Sequence, residues 1–451
     1  MSAPARVKNP LRTVFLAVCL ALWALLIGSA PAQVQPQDFI IIGPGGGRQL
    51  PLAVDAFRNL GSQEAASPLG LKISQVISED LKATGLFRLL DPVSFLEDPL
   101  GGALIPEEID FRNWSAIGAE ALIKGGFRLE GDRLEVEARL FVVVRSSMVV
   151  GKKYVGRPDD FRRIAHSFAN EVVRFFTGEP GTFDGQIAFV SSRQGVKEIS
   201  LMDYDGFSSR QITRNGSINL KPAWSPDGQK LAYTSYQQRQ PAIYVADLIR
   251  GGSRRLPLDA DMATGAVWSP DGALMAVALS RRGNTDLYLL HGDGRLLRRL
   301  TEHFAIDVDP AWSPDGKTLA FTSNRSGSPQ IYLMDANGQN IRRLTFEGRY
   351  NSSPVWSPKG DLIAFNGTVD GEFKLSVIRP DGTGLRRVTS APGKQTDPSW
   401  SPDGRFLAFT SSGGREEKHV ALLNVATGWL KRLGKGETPS WSPRVQRTGE
   451  K

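Results

Sequence analysis

The fold of this chain is decided by a repeated stretch whose clearest copy reads Pro310-Ala311-Trp312-Ser313-Pro314-Asp315-Gly316-Lys317-Thr318-Leu319-Ala320-Phe321-Thr322-Ser323. Pro314 presets the first corner of a turn, Asp315 can accept a bond from its own backbone, and Gly316 supplies the left-handed residue that returns the chain antiparallel. The pattern after this turn predicts further strands at residues 319–323, 330–334 and 341–345. The copy therefore predicts one sheet of four strands.

The motif Trp-Ser-Pro occurs six times, at intervals of 44, 44, 44, 44 and 41 residues. A period of about 40 to 45 residues that carries four short strands is the signature of a β-propeller blade. Six copies predict a six-bladed propeller, in which each indole packs between neighbouring blades as a core residue. The six tryptophans are Trp224, Trp268, Trp312, Trp356, Trp400 and Trp441.

The two ends of the repeat array are incomplete in complementary ways. The strand pattern at residues 187–213 has no Trp-Ser-Pro strand before it, and Trp441 has no strands after it. An open sheet edge is a liability that proteins cover. We therefore predict that the C-terminal strand closes the ring by joining the blade of residues 187–213.

Residues 1–32 read as a secretory signal peptide. Three basic residues precede an apolar run of 14 residues at 14–27, and Ala30-Pro31-Ala32 follows as a small-residue cleavage signal. An uncleaved anchor is the alternative, but the run is shorter than the roughly 20 residues that span a bilayer. The basic residues are Arg6, Lys8 and Arg12.

The number of cysteines and the net charge argue against several classes of function. The only cysteine, Cys19, lies inside the predicted signal peptide, so the mature chain has no thiol for disulfides, metal binding or nucleophilic catalysis. Loss of the three basic residues takes the net charge from +8 to +5. This mild excess, without a basic run, argues against nucleic acid as a partner.

Residues 33–178 differ in composition and predict a mixed α/β domain, so the fold class is an α/β N-terminal domain plus an all-β six-bladed propeller. Residues 178–181 predict a linker, residues 182–443 the propeller and residues 444–451 a tail. Within the α/β domain we predict strands at 38–42, 51–54, 121–130, 133–144 and 148–155, and helices at 70–84, 111–118 and 159–177.

Motifs for catalysis are not apparent. The glycine loop at residues 43–47 lacks the Lys-Ser/Thr of a Walker motif, and no Gly-x-Ser-x-Gly elbow occurs. The four histidines show no metal spacing and are predicted to be structural or solvated. They are His166, His291, His303 and His419. We therefore predict no catalytic residue, no cofactor and no bound metal.

The strongest candidates for a functional site come just before the tryptophans, where the chain enters the innermost strand of each blade. Lys221, Asp309, Asp397 and Glu437 lie there, with Gly265 and Ser353 between them. A carboxylate ring at a propeller mouth suits a cation or a basic group of a partner, but the mixed signs favour a protein contact surface. Loops predicted on the same face carry Arg193, Arg239, Arg281, Arg282, Arg325 and Arg415, and an arginine-rich disc suits protein binding.

The chain resembles the TolB family, the periplasmic propeller proteins of the Tol-Pal system of Gram-negative bacteria. The resemblance rests on the six repeats, on the order of signal peptide, small α/β domain and terminal Trp-Ser-Pro closure, and on four passages. These are Phe111-Arg112-Asn113-Trp114, Gly118-Ala119-Glu120-Ala121-Leu122, Phe161-Arg162-Arg163-Ile164-Ala165-His166 and Thr182-Phe183-Asp184-Gly185-Gln186-Ile187-Ala188-Phe189-Val190-Ser191.

The resemblance implies a non-enzymatic, monomeric periplasmic adaptor that supports outer-membrane invagination in cell division and outer-membrane integrity, with a link to bacteriocin import. In the family a mobile arm at the start of the mature chain binds TolA, which maps here to residues 33–45. Its apolar stretch suits strand addition to a partner sheet, while pairing within its own domain is the alternative. The arm residues are Asp38, Phe39, Ile40, Ile41 and Ile42.

The second partner that the resemblance implies is Pal, a peptidoglycan-associated outer-membrane lipoprotein that covers the propeller mouth. Met262 and Val308 are apolar where the family has polar side chains. The candidate contacts are Met262, Gly265, Val308, Asp309, Ser353 and Asp397. A secreted propeller hydrolase or lactonase that uses channel carboxylates and a metal is the alternative function.

Overall fold

The computed structural model describes residues 48–61, 68–96, 104–413 and 417–444, which group into one compact unit. The predicted signal peptide, the arm at 33–45 and residues 445–451 of the tail lie outside the described residues. Within the described part of the chain, no helix is both long and apolar enough to cross a bilayer.

The N-terminal part is a six-stranded mixed sheet in the order β3-β1-β4-β5-β6, with β2 paired to β4. Its strands are Leu50–Val54 (β1), Arg58–Asn59 (β2), Phe87–Leu89 (β3), Ala121–Glu130 (β4), Arg133–Val142 (β5) and Ser147–Gly156 (β6). The α-helices are Pro68–Thr84 (α1), Phe111–Ala116 (α2) and Phe161–Thr177 (α3), and short 3-10 helices lie at Pro92–Ser94, Pro106–Glu108, Val143–Arg145 and Pro158–Asp160.

Helices cover both faces of this sheet. Residues of β1 and β4 alternate between them, since Leu52 and Ile123 pack with α1 and α3 while Leu122 packs with Phe111 and Trp114 of α2. Helix α3 ends at Thr177, and the left-handed φ of 78° at Gly178 lets the N–H of this glycine donate to the carbonyl of Arg174 at 2.8 Å. The three-residue strand β3, parallel to β1, was not predicted.

The remainder is six four-stranded antiparallel sheets around a channel. From the channel outward, the innermost strands are Asn219–Trp224 (β10), Met262–Trp268 (β14), Asp307–Trp312 (β18), Asn351–Trp356 (β22), Lys394–Trp400 (β26) and Glu437–Trp441 (β30). The second strands are Lys230–Gln238 (β11), Leu274–Arg281 (β15), Thr318–Ser323 (β19), Ile363–Val369 (β23), Phe406–Ser412 (β27) and Gln186–Arg193 (β7).

The outer half of each blade is shorter. The third strands are Gln240–Asp247 (β12), Asn284–His291 (β16), Gln330–Asp335 (β20), Glu372–Ile378 (β24), His419–Asn424 (β28) and Val196–Asp203 (β8). The outermost strands are Ser253–Arg255 (β13), Leu296–Arg299 (β17), Arg342–Arg343 (β21), Arg386–Arg387 (β25), Leu430–Lys435 (β29) and Arg210–Gln211 (β9).

The ring is closed by the C-terminal strand, as predicted. Strand β30 pairs with β7 antiparallel, with Trp441 opposite Ile187 and Ser440 opposite Ala188. Beyond the strand, the N–H of Ser442 donates to the carbonyl of Gln186 at 2.8 Å. The predicted fold class, an α/β region followed by a six-bladed propeller with this closure, is therefore confirmed.

The Trp-Ser-Pro motif forms the predicted turn and adds a role for its serine. Gly316 has φ of 70°, and its N–H donates to the carbonyl of Ser313 at 2.9 Å. The Ser313 hydroxyl donates to Asp315 at 2.6 Å and accepts from the N–H of Thr318 at 2.9 Å. The serine thus bonds to both sides of the turn, which the turn rules alone did not predict.

A buried charged cluster joins the α/β region to the blade that the C-terminal strand completes. His166 on α3 lies with Nδ1 2.7 Å from Asp80 of α1 and with Nε2 3.2 Å from Asp205, in the turn after β8. Arg162 forms an ion pair with Asp205, and the Tyr204 hydroxyl donates to Asp80. Burial lowers the pKa of His166, but the two carboxylates outweigh it and raise that pKa to about 10.

The cluster therefore holds a charged histidine between two helices and the propeller. Tyr204 also stacks on Trp441 of the closing strand, with ring centroids 6.3 Å apart. His166 is structural, as predicted, but the cluster that it organises was not anticipated.

Candidate functional site

The innermost strands place six residues around the waist of the channel, one from each blade, three positions before each tryptophan. All six have left-handed backbone conformations, with φ between 47° and 66°. They line a cavity of about 190 Å³ together with the residues that follow them. The six are Lys221, Gly265, Asp309, Ser353, Asp397 and Thr438.

A β-bulge in each innermost strand produces this conformation. In β18 the ladder with β19 shifts register between Val308 and Ala311, which leaves Asp309 and Pro310 unpaired. A left-handed non-glycine residue costs about 1 to 2 kcal/mol and persists where the surroundings hold it. In this ring the neighbouring blade does so, because the N–H of Ser353 donates to the Thr322 hydroxyl at 3.1 Å.

Glu437 does not belong to the ring, and its place is taken by Thr438. The predicted residue lies four positions before its tryptophan rather than three. Its side chain is buried and forms ion pairs with Lys197 and Lys418 instead of lining the waist. Adjacent strand residues face opposite sides, so an offset of one position removes the carboxylate from the channel.

The charges at the waist are paired across the channel. The Lys221 ammonium forms an ion pair with Asp309, and this carboxylate raises the pKa of Lys221 against the effect of burial. The Ser353 hydroxyl donates to Asp309 at 3.3 Å. The waist thus carries a lysine that stays charged. Its ion pair with Asp309 joins two blades that are separated by the blade of Gly265.

Asp397 is the third charged member of the ring. Burial raises its pKa, while hydroxyl bonds from Thr396 and Thr410, both 3.0 Å long, and the charge of Lys221 act in the opposite direction. Among the described residues, no group of three or more His, Cys, Asp or Glu side chains is placed to hold a metal ion. A lysine between two carboxylates favours contact with polar groups of a partner over chelation of a cation.

The opposite end of the channel, which we call the tryptophan end, is lined by all six indoles around a cavity of about 500 Å³. Trp400 and Trp441 are buried, whereas the other four are half-buried. Each also packs on a cluster between blades, as Trp312 does beside Leu289 and Phe321. The predicted packing between blades is therefore confirmed, and the exposure of four indoles to the channel is an addition.

Met262 and Val308 differ in their positions. Met262 is half-buried at the mouth, by which we mean the channel end where the innermost strands begin. Val308 packs between blades against the cluster of Leu287 and Phe321, so it stabilises the ring rather than the mouth surface. The other four candidate contacts line the cavity at the waist. They are Gly265, Asp309, Ser353 and Asp397.

Only some of the arginines predicted to form a binding disc are exposed. Arg325 is mostly buried, forms an ion pair of 2.8 Å with the fully buried Asp307 and packs over Tyr332. Arg281 lies over Tyr288 with its guanidinium carbon 5.1 Å from the ring centroid. Arg193, Arg239 and Arg282 are exposed, and Arg415 lies outside the described residues.

The arm residues Asp38, Phe39, Ile40, Ile41 and Ile42 also lie outside the described residues, so their pairing stays a prediction. The missed residue Thr438 had a signal in the sequence, namely the constant spacing of three residues before each Trp-Ser-Pro. The pairing of Lys221 with Asp309 had none, because it joins residues that are 88 positions apart.

Comparisons with known proteins cover both parts of the chain. A family model described as the TolB beta propeller domain matches residues 173–445, and one described as the TolB amino-terminal domain matches residues 39–149. The crystal structure of TolB from Acinetobacter baumannii is similar, with a TM-score of 0.76 and 25% identity over 89% of this chain and 99% of that chain.

Curated relatives carry the same description. The Tol-Pal system protein TolB of Desulfosudis oleivorans is 39% identical over 240 residues, which are 53% of this chain and 52% of the relative. That of Geobacter sulfurreducens is 41% identical over 211 residues, which are 46% of this chain and 47% of the relative. The chain thus spans about half the length of the curated relatives that it matches.

Proposed function

The chain belongs to the TolB family, and from this premise we propose that it acts as a periplasmic adaptor of the Tol-Pal system. It binds a Pal-like outer-membrane lipoprotein through the propeller mouth and TolA through the N-terminal arm. In this role it supports outer-membrane invagination during division and the integrity of the outer membrane. Bacteriocins that enter through the same system use it as well.

Support for the mouth comes from the waist residues. Five of the six left-handed positions carry side chains, which differ in charge and size and line one cavity at the base of a funnel. They add charged groups to a lining that is otherwise rich in proline, alanine and valine. Backbone strain of this kind clusters where a site binds a ligand. Asp309, Ser353 and Asp397 can bond to a loop that enters from the partner, at the cost of rearranging the ion pair with Lys221.

Support for a non-enzymatic role comes from the same charges. A hydrolase that uses channel carboxylates needs a bound metal or a free general base. In the waist, Asp309 is paired with Lys221, and Asp397 accepts two hydroxyl bonds. No observation on the described residues favours the hydrolase or lactonase over the adaptor.

The test is a pull-down from envelope extract with the mature protein and one matched pair of variants. Ser353→Arg fills the waist with a bulky cation and should weaken capture of the Pal-like lipoprotein at least about tenfold. Ser208→Arg is the control, because Ser208 is exposed, also has φ of 53° and lies at the tryptophan end. Equal capture by both variants contradicts the mouth as the binding site.

A second variant lacks residues 33–42 and should lose binding to the periplasmic domain of TolA while it still captures the lipoprotein. Retention of TolA binding contradicts the arm. Metal-dependent hydrolase activity of the purified protein, abolished by Asp397→Ala, contradicts the adaptor itself.

A further inference from the structure

The rim of the mouth has two chemically different halves. The position six residues before each tryptophan lies at the start of the innermost strand or one to two residues before it, and its residue changes in type around the ring. At the first four positions it is apolar or aromatic, and at the last two it is a lysine, of which one begins β26 and the other ends β29 of the same blade. The residues are Ile218, Met262, Ile306 and Tyr350, followed by Lys394 and Lys435.

The loops that lead into these strands extend the apolar half. Phe304 is 87% exposed and Phe346 is 73% exposed, and both precede innermost strands of the apolar blades. Ile218, Ile306 and Tyr350 are exposed as well. Leaving a side chain of this size in water forgoes about 1.5 to 3 kcal/mol of burial. Exposed apolar patches of this kind mark interaction surfaces.

The neighbouring side chains hold these rings at the surface. Phe304 packs on His303 with ring centroids 4.2 Å apart, and the Arg343 guanidinium lies 4.9 Å from the ring of Phe346. Tyr350 meets Phe373 edge to face at 5.3 Å. The apolar half is therefore a set of supported rings, whose fixed positions reduce the entropy lost on binding.

The other half of the rim is basic. Lys394, Lys418 and Lys435 are exposed, and all three belong to the blade of β26 to β29 or to the loop between its strands. Glu437 pairs with Lys418 and Glu417 pairs with Lys435. Glu437 also pairs with Lys197. Lysines therefore outnumber these two carboxylates, and the excess of positive charge favours acidic groups over basic groups of a partner.

We propose that the mouth binds a folded protein domain that presents an apolar ridge to the blades of Ile218, Met262, Ile306 and Tyr350, and acidic side chains to the lysines of the blade formed by β26 to β29. This inference rests on the proposed function for the mouth and adds the chemistry of the partner. A protein fits better than a lipid surface, because the rim surrounds a funnel whose polar waist a flat bilayer does not reach.

The experiment measures the dissociation constant for the soluble domain of the captured lipoprotein. The double variant Phe304→Ser/Phe346→Ser should weaken binding about tenfold or more, as loss of aromatic anchors does at interfaces. Ile249→Ser is the matched control, since Ile249 is 75% exposed but lies in a turn at the tryptophan end. The double variant Lys394→Glu/Lys435→Glu should slow association and reduce its dependence on salt.

The outcomes separate this inference from the proposed function. Loss of binding in Ser353→Arg with unchanged binding in both rim variants overturns the rim inference and leaves the mouth as the site. No capture by the unsubstituted protein overturns both. Binding of the protein to vesicles that contain phosphatidylglycerol, reduced by the rim variants while lipoprotein binding is not, assigns the rim to a membrane surface and overturns the inference.

Discussion

The two ends of the propeller channel are built in opposite ways. At the tryptophan end the residue types repeat, since every blade has Trp-Ser-Pro, and in four of the six copies the serine bonds across the turn as Ser313 does. At the waist the backbone conformation repeats while the side chains differ, from Lys221 through Gly265 to Asp309. The same side chains are thus needed where the six blades pack in the same way. Where the channel presents a surface, only the backbone conformation is needed.

The largest loss of stability is expected at the tryptophan end, where the indoles at equivalent positions of the repeat differ in burial. Trp441 is buried, stacks on Tyr204 and closes the ring, whereas Trp268 is half-buried. Trp441→Ala should lower the free energy of unfolding by up to about 5 kcal/mol, because it leaves a cavity. Trp268→Ala should cost clearly less. Urea denaturation followed by circular dichroism measures both, and equal costs contradict unequal packing of the six indoles.

An intermediate loss of stability is expected at the buried charged cluster of His166, Asp80 and Asp205, which joins the α/β region to the propeller. His166→Gln leaves two buried carboxylates without their shared cation and should cost about 3 kcal/mol. His291→Gln is the control, because His291 is half-buried at the end of a strand. Its cost should stay within about 0.5 kcal/mol.

The pH dependence of the same variant checks the charge on His166. The folded-state pKa of about 10 lies above the ordinary value of 6.5, so the stabilisation is complete below pH 6.5 and is lost as the pH rises towards 10. The pKa of Asp205 is lowered, with burial opposed by His166 and Arg162, so its contribution is lost in acid instead. A difference between wild type and His166→Gln that does not shrink from pH 6.5 to pH 10 contradicts a charged His166.

The smallest loss of stability is expected at the waist, where a substitution at the glycine changes only the cost of the left-handed backbone conformation. An added Cβ at Gly265 has ordinary contacts of 3.9 Å to Lys221, but φ is 66°. Gly265→Ala should therefore lower the free energy of unfolding by about 1 kcal/mol. Gly434→Ala is the control, because Gly434 has open space and lies outside the left-handed region. Equal effects of the two substitutions would show that the bulge is not strained.

The sequence predicted the parts of the molecule that repeat. The spacing of Trp-Ser-Pro specified six blades, and the incomplete ends of the array specified the closing strand, because both follow from local pattern. The strand β3 was missed, since three residues carry too little periodicity to be recognised.

The site was predicted less completely than the fold. Five of the six ring positions were predicted, but Thr438 takes the place expected for Glu437, because membership of the ring follows the spacing to the tryptophan and not the charge of the residue. Arg325 was predicted to belong to an arginine-rich face that suits protein binding, whereas it is bound to Asp307, 18 residues before it. His166 contacts Asp80 at a separation of 86 residues. Contacts across such distances leave no periodic signal in a single sequence.

Closure by the last strand also sets the order of assembly. The backbone of Gln186 bonds to the side chain of Ser442, so these partners are 256 residues apart in the chain. Until residues 437–441 are available, the earliest blade has only three of its strands and its inner edge is unpaired. A polypeptide terminated before residue 437 contains every full repeat, yet it cannot become a ring.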